Sequence, residues 1–357
     1  MSNALTQFTF ADPDRFRHDF NAAQGQEVIT LLAVGDPALM ERQVNAFLSE
    51  QVFVPDGPLS RGITDPYWNI GDLSATLGLG EPGIFVYAGP ADNVGDLTWD
   101  AATIGPGVTH IDASALHTQQ GALYIGDDNV SLASIDLSML SETSEDGDSS
   151  LSIEFSPALT SIDLTSLSSL GSGGIIIYEN PLLTALDLSS LVASVGQVDI
   201  EECDVLASID VSALATVGDE GIIFDALAAI TTLDLSSLTS CGAVNIQNND
   251  LLVSVDLSSL AVVAEALSIV NNPSLTTVSL PSLVDFTLGA SLNDNALSQA
   301  SVDAVLVTLA SLDGTGGKSL YENQTVFLEG GTNATPGSSG LTAKATLEDR
   351  GCTVLVN

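Results

Sequence analysis

The chain has 357 residues and a formal net charge of -39, which reflects a scarcity of bases: seven Lys and Arg stand against 46 Asp and Glu. Such a surface repels phosphate, which argues against nucleic acid and anionic lipid as partners. Mean hydropathy is +0.34, yet no apolar run reaches the roughly 18 residues of a membrane span, and three cysteines, an odd count, make no disulfide framework.

Residues 1–60 read as a separate, small α-helical unit. The opening MSNALTQFTFADPDRF has neither the basic n-region nor the apolar h-region of a secretory signal, so standard export is not expected if Met1 is the true start. Residues 37–52 carry Leu39, Val44, Phe47 and Leu48 near helical spacing, with Asp36 at the N-cap and Pro37 in the first turn. Arg15, Phe16, Arg17, His18 and Phe20 are the one mixed basic and aromatic concentration in the chain. Two readings stand: a helical cap over the first repeat, or an assembly-docking arm anchored by Arg15, Phe16, Arg17 and Phe20.

Residues 61–106 begin rich in Pro and Gly. The strings IFVY (84–87) and LTW (97–99) then read as degenerate opening coils before the register settles at Ile111. Between Arg61 and Lys318 there is no Lys or Arg.

Across residues 107–294 one phrase recurs: an apolar residue, Asp, an apolar or small residue, two small residues, Leu. It reads HIDASAL at Asp112, SIDLSML at Asp136, SIDLTSL at Asp163, ALDLSSL at Asp187, SIDVSAL at Asp210, TLDLSSL at Asp234 and SVDLSSL at Asp256, with Ser279 replacing Asp in a last copy. Successive intervals are 24, 27, 24, 23, 24, 22 and 23 residues, a period that marks stacked-repeat architectures. About ten residues before each Asp an alternating triplet such as Leu151-Ser152-Ile153 or Val198-Asp199-Ile200 predicts a second short strand. Each repeat is thus expected to supply two extended pieces and two turns. Three residues after the triplet runs a turn column, Asp128, Ser156, Asn180, Cys203, Leu227, Asn249 and Asn272, broken at Leu227. The insertion at 142–148 predicts an acidic bulging loop. Cys203 and Cys241 read as core thiols, Cys241 taking the place held by Val195, Val217 and Val263 in sister repeats.

Residues 295–357 predict helices over 298–312 and 338–348, with Ser298 and Ser301 as N-cap candidates, and strands over 326–329 and 353–356. This α/β unit would cover strand edges at the end of the stack.

The string LSIVNNPSLTTVSLPSL and the phrasing before it resemble leucine-rich repeats, most closely the receptor L-domain variety. The segment from Asn295 onward is similar to a C-terminal cap that follows such repeats in phage and aquatic bacterial proteins. The resemblance implies a mainly β fold, a parallel β-solenoid of leucine-rich, L-domain-like coils with the α-helical N-terminal unit and α/β C-terminal cap described above. It implies no particular activity.

The Asp column admits two readings. Stacked coils would set Asp136, Asp163, Asp187, Asp210, Asp234 and Asp256 about 5 Å apart on the outer face, where a row of Ca2+ ions could offset their repulsion. Alternatively, each Asp accepts hydrogen bonds from the following turn. Catalysis has little support, because His18, His110 and His117 are scattered and no nucleophile elbow or phosphate loop occurs. Asp199, Glu201 and Glu202 form an acidic cluster able in principle to cleave a polysaccharide, and Tyr124 and Tyr178 are candidates for stacking on sugar. The expectation is a non-enzymatic virion structural protein of a tailed phage or related virus, a capsid decoration or fibre-like component. Its partners would be other virion proteins, further copies of itself as a homo-oligomer, or a host-surface protein or glycan. The alternative is a cell-surface or secreted adhesion module.

Overall fold

The computed structural model describes residues 83–357, apart from 88, 106, 127–128, 144–150 and 219, together with the two short strands Thr6–Phe8 and Ile29–Leu31. Those two strands pair in parallel, Gln7 opposite Thr30, inside the unit expected to be helical. The predicted helix over 37–52 and the docking residues Arg15, Phe16, Arg17 and Phe20 lie outside the described residues.

The described chain is mainly β, and each repeat but the last, where an isolated bridge at Asp285 stands for the middle strand, contributes three strands where two were expected. In one repeat these are Ala185–Asp187, Ala193–Ser194 and Val198–Glu201. Each pairs in parallel with its counterpart in the next repeat: Asp187 with Asp210, Ser194 with Val217, Ile200 with Phe224. The four-residue strands, with Ala290–Ser291, form one sheet of 11, the other two-residue strands one of 8, and the three-residue strands that hold the Asp place ladders of four, two and three. These long parallel sheets are consistent with a parallel β-solenoid. The middle strand leaves no mark in the sequence because two residues are too short to show an alternation.

The phrase folds this way because its Ile and both Leu turn inward. Leu186, Leu188 and Leu191 are at most 2% exposed, as are Val198 and Ile200 on the long-sheet strand. A fully buried side chain of this class contributes about 1.5–3 kcal/mol, and stacking joins them into one core running from Phe85 to Val354. Apart from Phe224, the aromatics of that core gather at its ends. Phe85 and Tyr87 lie 5.4 and 5.6 Å from Trp99 in the first described repeat, and Phe286 stacks on Tyr321 at 5.4 Å in the last.

Register is already set at Ile84, before the expected point at Ile111. Ile84–Val86 pairs with His110–Asp112, and Leu97–Asp100 pairs with the strand beginning at Leu123, so the opening segment is a complete repeat in which Val86 holds the Asp place. The 142–148 insertion starts later than expected, because Glu142–Thr143 is a strand paired with Thr118–Gln119. Ser194, and not Val195, is the buried counterpart of Val217 and Cys241; Val195 is 51% exposed. All three cysteines are buried and free, and burial pushes the Cys241 thiol up to about 12.

The turn column is a ladder of buried side chains. Asn249 Nδ2 donates to Phe224 O (3.0 Å) while its Oδ1 accepts from Leu227 N (2.9 Å), and Asn272 and Asn295 repeat the pattern one repeat on each. In the repeat of Leu123–Gly126 the place belongs to Asn129, bonded to Trp99 O at 2.8 Å, and not to Asp128, which lies outside the described residues. One extra residue in that turn shifts the column. Cys203 takes the place in its repeat, its thiol pushed up to about 11 by burial against an opposing hydrogen bond from the Asn180 backbone. Leu227 can neither donate nor accept through its side chain. Just before the column sits a residue in the left-handed region: Phe155 (φ 49°), Glu179 (51°), Glu202 (51°) and Ala226 (54°). Each costs roughly 1 kcal/mol relative to glycine, which the buried ladder beside it offsets.

At the C-terminal end, helices Gln299–Ala310 and Ser338–Asp349 alternate with strands Thr325–Leu328 and Thr353–Val356, which extend the long sheet. Ser298 caps the first helix through Ser301 N. Ser301 Oγ itself accepts from Val278 N and donates to Val278 O, and Ser319 Oγ does the same for Phe286. Two serines thereby satisfy the last edges of the two smaller ladders, groups otherwise left without partners.

Candidate functional site

Strands of the long sheet turn their first and third residues inward and their second and fourth outward. Register therefore lines up Glu154, Tyr178, Glu201 and Asp225 as direct neighbours on the outer face, at the roughly 4.8 Å spacing of adjacent strands. Asp199 occupies the parallel outer column between Ile176 and Ile223. Its carboxyl is pushed up to about 7, first by burial and then by the negative charges of Glu201, Glu154 and Asp225. One of its oxygens is buried without a hydrogen-bond partner among the described residues. Glu201 is also held above the usual carboxylate range, by burial first and then by Asp225 and Glu202. Other members find partners: Ser152 donates to Glu154, and Gln247 and Asn248 both donate to Asp225 at 2.8 Å.

The left-handed turn then throws the next residue of each repeat to the side. Phe155, Glu179, Glu202 and Ala226 follow one another along the stack and, with Val130, Pro157, Pro181 and Asp204, line a groove of about 670 Å³. Tyr178 joins face and groove. Its ring meets Phe155 edge to face at 5.3 Å, and its hydroxyl reaches Glu202 at 3.3 Å. That hydroxyl is pushed up to about 12, chiefly by hydrogen bonding to Glu179, with burial and Glu202 adding to it. Acids and a neutral phenol are suited to receiving a positively charged or hydroxyl-rich ligand.

The Asp column is differently disposed. Asp136, Asp163, Asp187, Asp210, Asp234 and Asp256 each accept a hydrogen bond from the backbone N–H two residues on, at 2.8–3.1 Å. Asp163 also accepts from the Thr165 hydroxyl at 2.7 Å. Bonding to the Ser189 and Ser236 side chains and backbone holds the Asp187 and Asp234 carboxyls below the usual range. A Ca2+ cage takes six to eight oxygens, and among the described residues no three His, Cys, Asp or Glu side chains are grouped to hold a metal ion. His110 bonds to Thr109 at 2.8 Å and His117 lies exposed, neither belonging to the acidic face.

The sequence alone points to Asp199, Glu201, Glu202 and Tyr178. Glu154, Phe155, Glu179, Asp204 and Asp225 join them only through stacking, although their shared place relative to the Asn column was a usable signal. Among the described residues no helix is long and apolar enough to cross a membrane. Comparison with known proteins finds no matching family model, no similar curated protein and no similar solved structure.

Proposed function

We propose that the protein is a non-enzymatic recognition and display scaffold, a leucine-rich β-solenoid of the L-domain type that presents the outer face of its long sheet and the adjoining groove to a partner. The observation that carries this reading is the register of Glu154, Tyr178, Glu201 and Asp225 beside an open groove on a stacked body. Rigid stacked elements hold such side chains at fixed spacing without a ligand present. The setting that the C-terminal resemblance supports is the surface of a tailed phage or related virus, as a capsid decoration or fibre-like component. Negative-stain imaging of particles made with and without the protein tests that setting: loss of a surface feature is expected, and unchanged particles overturn it.

One observation favours a second reading. Asp199, half-buried and pushed up to about 7, sits two residues from Glu201 on the same face, and a protonated acid beside a carboxylate is the pairing used in glycoside cleavage. Turnover of a panel of polysaccharides that Asp199→Asn abolishes would replace the scaffold reading with this one.

A further inference from the structure

The groove beside the long sheet narrows the recognition reading, on which this inference rests, to one kind of partner. Its walls are of two chemistries. Val130 and Phe155 are 59% and 37% exposed, large apolar side chains held in water, while Glu179, Glu202 and Asp204 line the same groove. No Lys or Arg occurs between Arg61 and Lys318 to neutralise those acids from within the stack. The groove runs along the stack, because Phe155, Glu179, Glu202 and Ala226 come from four successive repeats. Three inter-strand steps make roughly 14 Å, the length of about four extended residues. An occupant matching these walls is extended, carries positive charge and offers an apolar side chain. A second copy of this chain suits the groove poorly, since two bodies of formal charge -39 repel, whereas a basic partner is drawn in by the same field.

We propose that this groove docks an extended basic segment of a partner protein, with Lys or Arg at Glu179, Glu202 and Asp204 and an apolar side chain against Phe155 and Val130.

The test is fluorescence anisotropy of the full chain with a labelled probe peptide, Gly-Arg-Phe-Arg-Gly-Phe-Arg-Gly, and its counterpart with Glu in place of Arg. The basic probe is expected to bind and the acidic one not. Glu179→Gln with Glu202→Gln weakens binding about tenfold or more, as loss of charge-assisted contacts does. Glu220→Gln with Glu265→Gln removes the same charge from exposed positions elsewhere and changes binding less than about twofold. Phe155→Ala weakens it without changing net charge, and circular dichroism of each variant verifies the fold. Equal weakening by the two Gln pairs means general charge attraction and overturns the proposal, as does failure of the basic probe to bind. A peptide of residues 10–23 of this chain binding more tightly than the probe assigns the groove to a second copy and also overturns it. Particle imaging is indifferent to all of these outcomes, so failure of the virion setting and failure of this docking site are told apart.

Discussion

Two faces of the molecule carry rows of carboxylates at the same repeat spacing and use them in opposite ways. On the Asp column every acid bends back to its own turn, where a backbone N–H two residues on awaits it. On the long sheet Asp199 projects from mid-strand and Glu154, Glu201 and Asp225 from strand ends, side by side across paired repeats, and they crowd one another. Asp187 and Asp234 are consequently held below the usual range while Asp199 and Glu201 are held above it. What an acid does in a stacked fold depends on whether the turn beside it offers a backbone donor to its carboxylate.

The contrast predicts that removing an acid has opposite signs on the two faces. The largest effect is expected at Asp199. Asp199→Ile continues the strip between Ile176 and Ile223, relieves the buried carboxylate and stabilises the fold at pH 8 by about 1–2 kcal/mol, solvent screening of the exposed part keeping it below the full linkage value. Urea unfolding measures it, and destabilisation would break the contrast.

The pH profile sharpens the same point. Because the folded value of Asp199 lies above its unfolded 3.8 at about 7, the native state binds the extra proton, and stability falls as pH rises through that window. Asp199→Asn flattens this part of the profile, read as thermal midpoint between pH 4 and pH 8; an unaltered slope would refute the assignment.

Next in size is the Asp column. Asp187→Ala or Asp234→Ala strips the turn of its acceptor and destabilises by about 0.5–1 kcal/mol in the same unfolding experiment. Their folded values are lowered, so this contribution is present above the unfolded value and lost as pH falls through the folded one. Asp187→Asn keeps an acceptor oxygen and is expected to cost only a few tenths of a kcal/mol. A cost equal to that of Ala would show that the charge, and not the hydrogen bond, matters there.

The smallest effect separates the faces by salt. Raising NaCl from about 0.05 M to about 1 M screens exposed like charges and is expected to raise the thermal midpoint of the wild type by more than that of a Glu154→Gln, Glu201→Gln, Asp225→Asn triple variant. Equal responses would place the repulsion elsewhere on the surface.

The period, the inward Ile and Leu of each phrase, the long-sheet triplets and the helices and strands after Asn295 were legible from residues alone. Apolar burial has a periodicity that survives in one dimension, and caps such as Ser298 act within a few residues. Three features came only with the stack. The two-residue strands gain their identity from neighbours in other repeats, the single extra residue before Asn129 shifts a column that only register exposes, and Ser194 replaces Val195 inside. The acidic face belongs to the same class: Glu154, Tyr178, Glu201 and Asp225 are separated by about a repeat each in sequence and become neighbours only when strands pair. Local hydrogen bonds and apolar periodicity are written along the chain, whereas side-chain proximity across repeats, and the charge crowding it produces, is decided by how the windings stack.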